Sequence, residues 1–122
     1  LRQDITPQPV GTRAPAIHHI PGYLHNRVRL LPTSQVEYAF SDLGGVHVAC
    51  QGELFHTQLT LKSLEEKTPL LRCHRQYLVA PAAIFEIRLL ENQLAEIVTP
   101  SGARVPVSRR YLKELKDELG LE

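Results

Sequence analysis

The sequence predicts a mainly β fold of short antiparallel sheets, with one short packed helix and a C-terminal helix. Three observations carry this. Between residues 16 and 57, apolar and polar residues alternate in short runs divided by turn residues. Near residue 60 the spacing of leucines changes from two to three, and it reverts after Pro69. At the end of the chain Leu112, Leu115 and Leu119 fall at helical spacing between a serine and a glycine.

Residues 1–15 hold three prolines and a glycine, with little periodicity. This composition reads as an interdomain linker, and the body of the domain is expected over 16–122. "AIHHI" (16–20) is a short apolar run. "NRVRLLP" (26–32) alternates, with Val28 and Leu30 on one side and Arg27 and Arg29 on the other. "VEYAFS" follows, then Asp42-Leu43-Gly44-Gly45 as a turn, then "VHVACQ". There Val46, Val48 and Cys50 face one way, and His47 and Ala49 the other. Gly52-Glu53 makes the next turn and "LFHTQL" returns, so the first half is a meander.

In "TLKSLEEKTP" Thr60 is the expected N-cap of a helix that Thr68-Pro69 stops. Strands resume with "LLRCH" and "QYLVA". "IFEIRLLE" places Ile84, Glu86, Arg88 and Leu90 on one side and Phe85, Ile87 and Leu89 on the other. Asn92 marks a turn, Ser101-Gly102 a second hairpin turn, and "RVPV" closes the meander. Ser108 is the expected cap of the last helix and Gly120 its terminator. Tyr77, Leu78 and Val79 are expected core residues. Leu112, Leu115 and Leu119 form either core or a dimer contact.

At 122 residues and 43% hydrophobic, the chain is long enough for one domain with a real core. It contains no Met, and we read it as the C-terminal part of something longer. No stretch has the roughly 18 apolar residues of a membrane span, and no signal-peptide pattern opens the chain. Two cysteines make no disulfide framework, and a reducing cytoplasm is the default expectation. The net charge of +1 is uninformative as a total. Its distribution is not: Arg72, His74 and Arg75 cluster, as do Arg104, Arg109, Arg110, Lys113 and Lys116.

The stretch "LRCHRQYLV" (71–79) poses the functional question, because it gathers Cys, His and two Arg between apolar residues. The six His and two Cys include no C-x-x-C or H-x-x-x-H spacing, so no metal or other cofactor is expected. Cys73 and His74 are neighbours on a strand and point apart, which rules them out as a nucleophile–base pair. No Gly-rich phosphate loop and no G-x-S-x-G occurs, and an enzyme is not expected. Cys73 reads as a small buried residue and His74 as a structural one. Arg109 and Arg110 sit in a helix's first turn, where the macrodipole favours anions. Cations placed there point to an anionic partner such as phosphate or a guanine edge, or else they are surface arginines paired with nearby Glu.

"LLRCHRQYLV" followed some thirty residues on by "VPVSRRYLKELK", with the leucine-spaced "LTLKSLEEKTP" helix just upstream, resembles the LytTR DNA-binding domain of bacterial response regulators. The likeness covers about residues 16–120. The wording around "TPLLRCHRQYLV" is similar to regulators of the enterobacterial pyruvate-sensing type. The resemblance implies an elongated layer of short sheets that reads double-stranded DNA through loops and strand ends. It also implies a homodimer on direct-repeat promoter sites, and an absent receiver domain answering to a sensor histidine kinase. The family's base-contacting positions match Arg75 and Arg110, with a third contact in the Asp42–His47 turn, where His47 is the best candidate. Arg109, Lys62 and Arg72 are the further candidates for phosphate. One departure stands out: Ala80-Pro81-Ala82-Ala83 replaces the usual Asn and turn, which puts the local loop shape in doubt. The rival reading is a small β module that binds protein or peptide, its basic surface incidental.

Overall fold

The computed structural model describes residues 16–120. The expected linker, residues 1–15, lies outside the described residues. Ten strands and two helices follow in the order β1 (His19–Leu24), β2 (Arg27–Pro32), β3 (Val36–Asp42), β4 (Gly45–Cys50), β5 (Glu53–Thr57), α1 (Leu61–Lys67), β6 (Leu71–His74), β7 (Tyr77–Val79), β8 (Glu86–Leu89), β9 (Ala95–Val98), β10 (Arg104–Val107) and α2 (Arg109–Leu119). All pairings are antiparallel, in a seven-stranded sheet ordered β2-β1-β5-β4-β3-β7-β6 and a three-stranded sheet ordered β10-β9-β8.

Strand alternation sorts the large sheet's side chains into two cores. Ala39, Val48, Phe55 and Leu78 face α1, which contributes Leu61 and Leu64. Their neighbours Tyr38, Tyr77 and Val79 face the other way, into a second core with Ile97, Val105 and Leu115. Sheet one is therefore sandwiched between α1 on one side and the small sheet with α2 on the other. The first helix forms where the spacing predicts it: the Thr60 hydroxyl accepts from the Ser63 amide at 3.0 Å, and Leu61 and Leu64 are buried. Leu115 is buried in the second core, and the partly buried Leu112 and Leu119 pack beside it.

Several features go beyond the local sequence patterns. The first strand runs through Pro21-Gly22, residue types uncommon inside strands. Proline is tolerated because β5 pairs with β1 only at Tyr23 and so asks no donor of Pro21. Glycine is required because a Cβ at Gly22 would lie 2.7 Å from Leu31 Cδ1 and 2.9 Å from Phe55 Cβ. In β2 the apolar pair Val28 and Leu30 faces solvent, while Leu31, on the side of Arg29, is the buried residue. In β8 only Ile87 of its apolar trio is covered, because β8 is an edge strand and Phe85 and Leu89 project past the core. Ser108 occupies the N-cap of α2 without a side-chain bond. Its amide donates instead to the Cys73 carbonyl at 3.0 Å. The Pro81 departure is resolved as a 3₁₀ turn with proline at its first position, anchored by the Ala80 amide on the Glu37 carbonyl at 2.8 Å.

A candidate nucleic-acid interface

Three chain segments meet at one end of the large sheet. The β6–β7 hairpin turns at Arg75-Gln76, and the Gln76 carbonyl accepts from the Ser41 amide at 3.0 Å. That bond sets this turn beside the β3–β4 turn. The Ser108–Cys73 bond sets the start of α2 beside the last residues of β6. Arg75 and Arg110, 35 positions apart in the sequence, thus lie on neighbouring backbone segments. Both are exposed, and neither forms an ion pair among the described residues. The Arg110 guanidinium lies 5.2 Å from the Tyr111 ring centroid, a cation–π contact that orients it without neutralising it.

Each turn is braced from below. The Tyr77, Phe40, His47 and His56 rings sit in cross-strand register on β7, β3, β4 and β5, with centroids 5.4, 5.0 and 5.8 Å apart in that order. Gly44 donates its amide to Asp42 Oδ1 at 2.8 Å, closing the β3–β4 turn on its own aspartate. Gly45 adopts φ +118°, and a Cβ there would meet His56 Nε2 at 2.7 Å. Glycine is thus demanded both by the backbone and by the space.

The individual candidates fall into two groups. Arg75, Arg110 and Arg109 are exposed at this end of the molecule. Arg72 is not a free cation. Its Nε and Nη2 donate to Glu65 Oε1 at 3.2 and 2.9 Å, and its Nη1 donates to the Arg75 carbonyl at 2.6 Å. It holds the turn that presents Arg75. His47 is half-buried, and its Nε2 donates to Asp42 Oδ1 at 3.0 Å. This bond, with the Gly44 amide, holds the Asp42 carboxyl below the usual carboxylate range. The tip of that turn is Leu43, which is fully exposed and which sequence reasoning did not single out. Its position between Asp42 and Gly44-Gly45 was the available signal. Lys62 is exposed on α1, the helix whose Glu65 binds Arg72.

Cys73 is buried in the second core, and His74 is half-buried beside the turn. The His74 Nδ1 accepts from the Gln76 amide at 3.1 Å, and its ring stands edge-on to Tyr77. Burial, reinforced by neighbouring Arg75, lowers its pKa. Burial pushes the Cys73 thiol up to about 12, far from the thiolate that redox chemistry needs. Among the described residues no three of His, Cys, Asp and Glu gather as a metal site. None of their helices is long and apolar enough to cross a membrane.

Comparison with known proteins agrees with this geometry. The profile of the LytTr DNA-binding domain matches residues 26–120. An uncharacterized response regulatory protein of Shewanella oneidensis is 54% identical over 123 residues, covering 100% of this chain and 52% of that protein. The transcriptional regulatory protein BtsR of Escherichia coli K12 is 46% identical over 121 residues, covering 98% of this chain and 50% of its own. The chain thus spans about half the length of these curated relatives. Among solved structures, the LytTr DNA-binding domain of a Bacillus cereus protein superposes with a TM-score of 0.80 at 22% identity. It covers 87% of this chain and 100% of that one, a likeness of fold. With a family profile over residues 26–120, a matching fold and relatives near half identity, the chain belongs to the LytTr DNA-binding domain family.

Proposed function

We propose that the domain binds double-stranded DNA in a sequence-specific way, as the output module of a response regulator that controls transcription. The observation that carries this is the junction of the β6–β7 turn and the start of α2, where Arg75 and Arg110 stand exposed on segments joined by the Ser108–Cys73 hydrogen bond. Each guanidinium has the fork geometry to take a guanine edge in the major groove. Arg109 is assigned to phosphate, which fixes register without reading sequence. Lys62 is a more distant phosphate contact. Arg72 acts through Arg75 by holding its carbonyl, and His47 acts through the β3–β4 turn by holding Asp42. That turn is the third point of approach to DNA. The activity is binding without catalysis and needs no cofactor.

The same reading extends to the longer protein. Residues 1–15 are the tether to a receiver domain phosphorylated by a sensor histidine kinase. The regulator acts in the cytoplasm as a homodimer on direct repeats. The test is selection of bound duplexes from a random pool, followed by affinity measurement on the winner over a salt series. Recovery of a direct repeat, with affinity falling steeply as salt rises, supports the proposal. Recovery of no shared sequence, or a salt-insensitive affinity, rejects it.

A further inference from the structure

A second surface runs along α2 from its first turn. Edge strand β8 and the turn after it leave Leu89, Leu90 and Leu94 68%, 47% and 42% exposed. With Leu112 of α2 they form the walls of a groove of about 500 Å³. Its rim is cationic: Arg109, Lys113 and Lys116 follow one side of α2 at spacings of four and three residues. Among the described residues no acidic side chain lines the groove, and Glu91 on the adjoining turn stays outside it. Contiguous exposed leucines of this kind mark an interaction surface on a small domain.

We propose that this groove receives an acidic amphipathic helix of a partner protein, with leucines against its walls and carboxylates against its rim. Charge and apolarity together select that occupant. A phosphate backbone would satisfy the rim and leave the leucine walls in water. A symmetric second copy would bury the leucines and bring Arg109, Lys113 and Lys116 against their own equivalents. An acidic amphipathic helix satisfies both. The groove begins at Arg109, next to Arg110, so a protein docked there adjoins the proposed DNA face. The inference rests on the groove and shares only Arg109 with the DNA reading, whose own test is the duplex selection above, so the variants are taken at Lys113 and Leu89.

The experiment uses a fluorescent synthetic helix of about 15 residues, with leucines at helical spacing and glutamates elsewhere. A control peptide carries lysines in place of the glutamates. Fluorescence anisotropy is read on the 122-residue chain and on its Lys113→Glu and Leu89→Gln variants, both at exposed positions. The glutamate helix binds, the lysine helix does not, and each variant weakens binding about tenfold or more. Duplex affinity stays within about twofold in Leu89→Gln, which changes no charge. Equal binding of the two peptides, or by the variants, overturns the proposal. So does failure of the glutamate helix to bind at all. Self-association lost in Leu89→Gln would give the groove to a second copy, and a matching fall in duplex affinity in Leu89→Gln would give it to DNA. Either result overturns the assignment.

Discussion

The two edges of the large sheet, β2 and β6, each bring a pair of arginines to the surface, and they use them differently. On β2, Arg29 donates to Glu53 Oε1 at 3.2 Å and lies over the Phe55 ring, while Arg27 stands beside the exposed Val28 and Leu30. At the other edge, Arg72 is also anchored to a carboxylate, that of Glu65, yet its remaining donor reaches the backbone of the turn that carries Arg75. That turn is held again by Ser41 on β3, and the start of α2 is held beside it. Both edges are basic in sequence, and only the second sets an exposed arginine on a braced turn next to another. The proposed reading surface therefore depends on support as much as on charge, because a guanidinium on an unsupported segment keeps conformational freedom that binding must then remove.

Substitutions sharpen the contrast. Arg75→Ala and Arg110→Ala should each weaken binding to the selected duplex by about 1–3 kcal/mol, with the thermal midpoint unchanged. If both retain full affinity, the two arginines are not the reading residues. Gly45→Ala should lower stability by about 1–2 kcal/mol, since it forces an L residue into positive φ against His56; denaturant midpoints measure this. Arg72→Ala should weaken the duplex by about 1 kcal/mol through loss of the Arg75 turn, without altering which bases are preferred. A changed base preference would make Arg72 itself a reader. Arg27→Ala and Arg29→Ala on the other edge should move duplex affinity by less than about 0.5 kcal/mol. An effect there as large as at Arg75 would erase the distinction between the edges.

A pH series tests the brace rather than the reader. The His74 pKa is lowered in the fold, so the unfolded chain takes up a proton first as pH falls below about 6.5. Its contribution to stability is present above that value and lost as pH drops toward the folded pKa. The cause is burial of the imidazole, to which the neighbouring Arg75 charge adds. Stability of wild type should fall as pH drops below about 6.5, and His74→Gln should flatten that part of the curve. A wild-type curve already flat there would remove His74 from the brace.

Much of this was legible in the chain. The strand runs, the Thr60 cap, the Asp42–Gly45 turn and the leucine spacing of α2 are local patterns, and each appears where its period predicts it. The convergence of Arg75 and Arg110 came from the likeness to a family rather than from spacing. What the local patterns left open shares one cause. The strand through Pro21-Gly22, the solvent-facing Val28 and Leu30, the uncovered Phe85 and Leu89, and the carboxylate partner of Arg72 all depend on which element lies alongside. No window along the sequence contains that neighbour.

By itself, then, the sequence determined the elements, their order and their turns, because periodicity and backbone preference act over a few residues. Only the tertiary structure decided which strand became an edge, which face met a core, and which arginine met a carboxylate. Those outcomes depend on contacts between residues distant in the chain, such as Ser41 with Gln76 and Cys73 with Ser108, and burial and pairing exist only once both partners are in place.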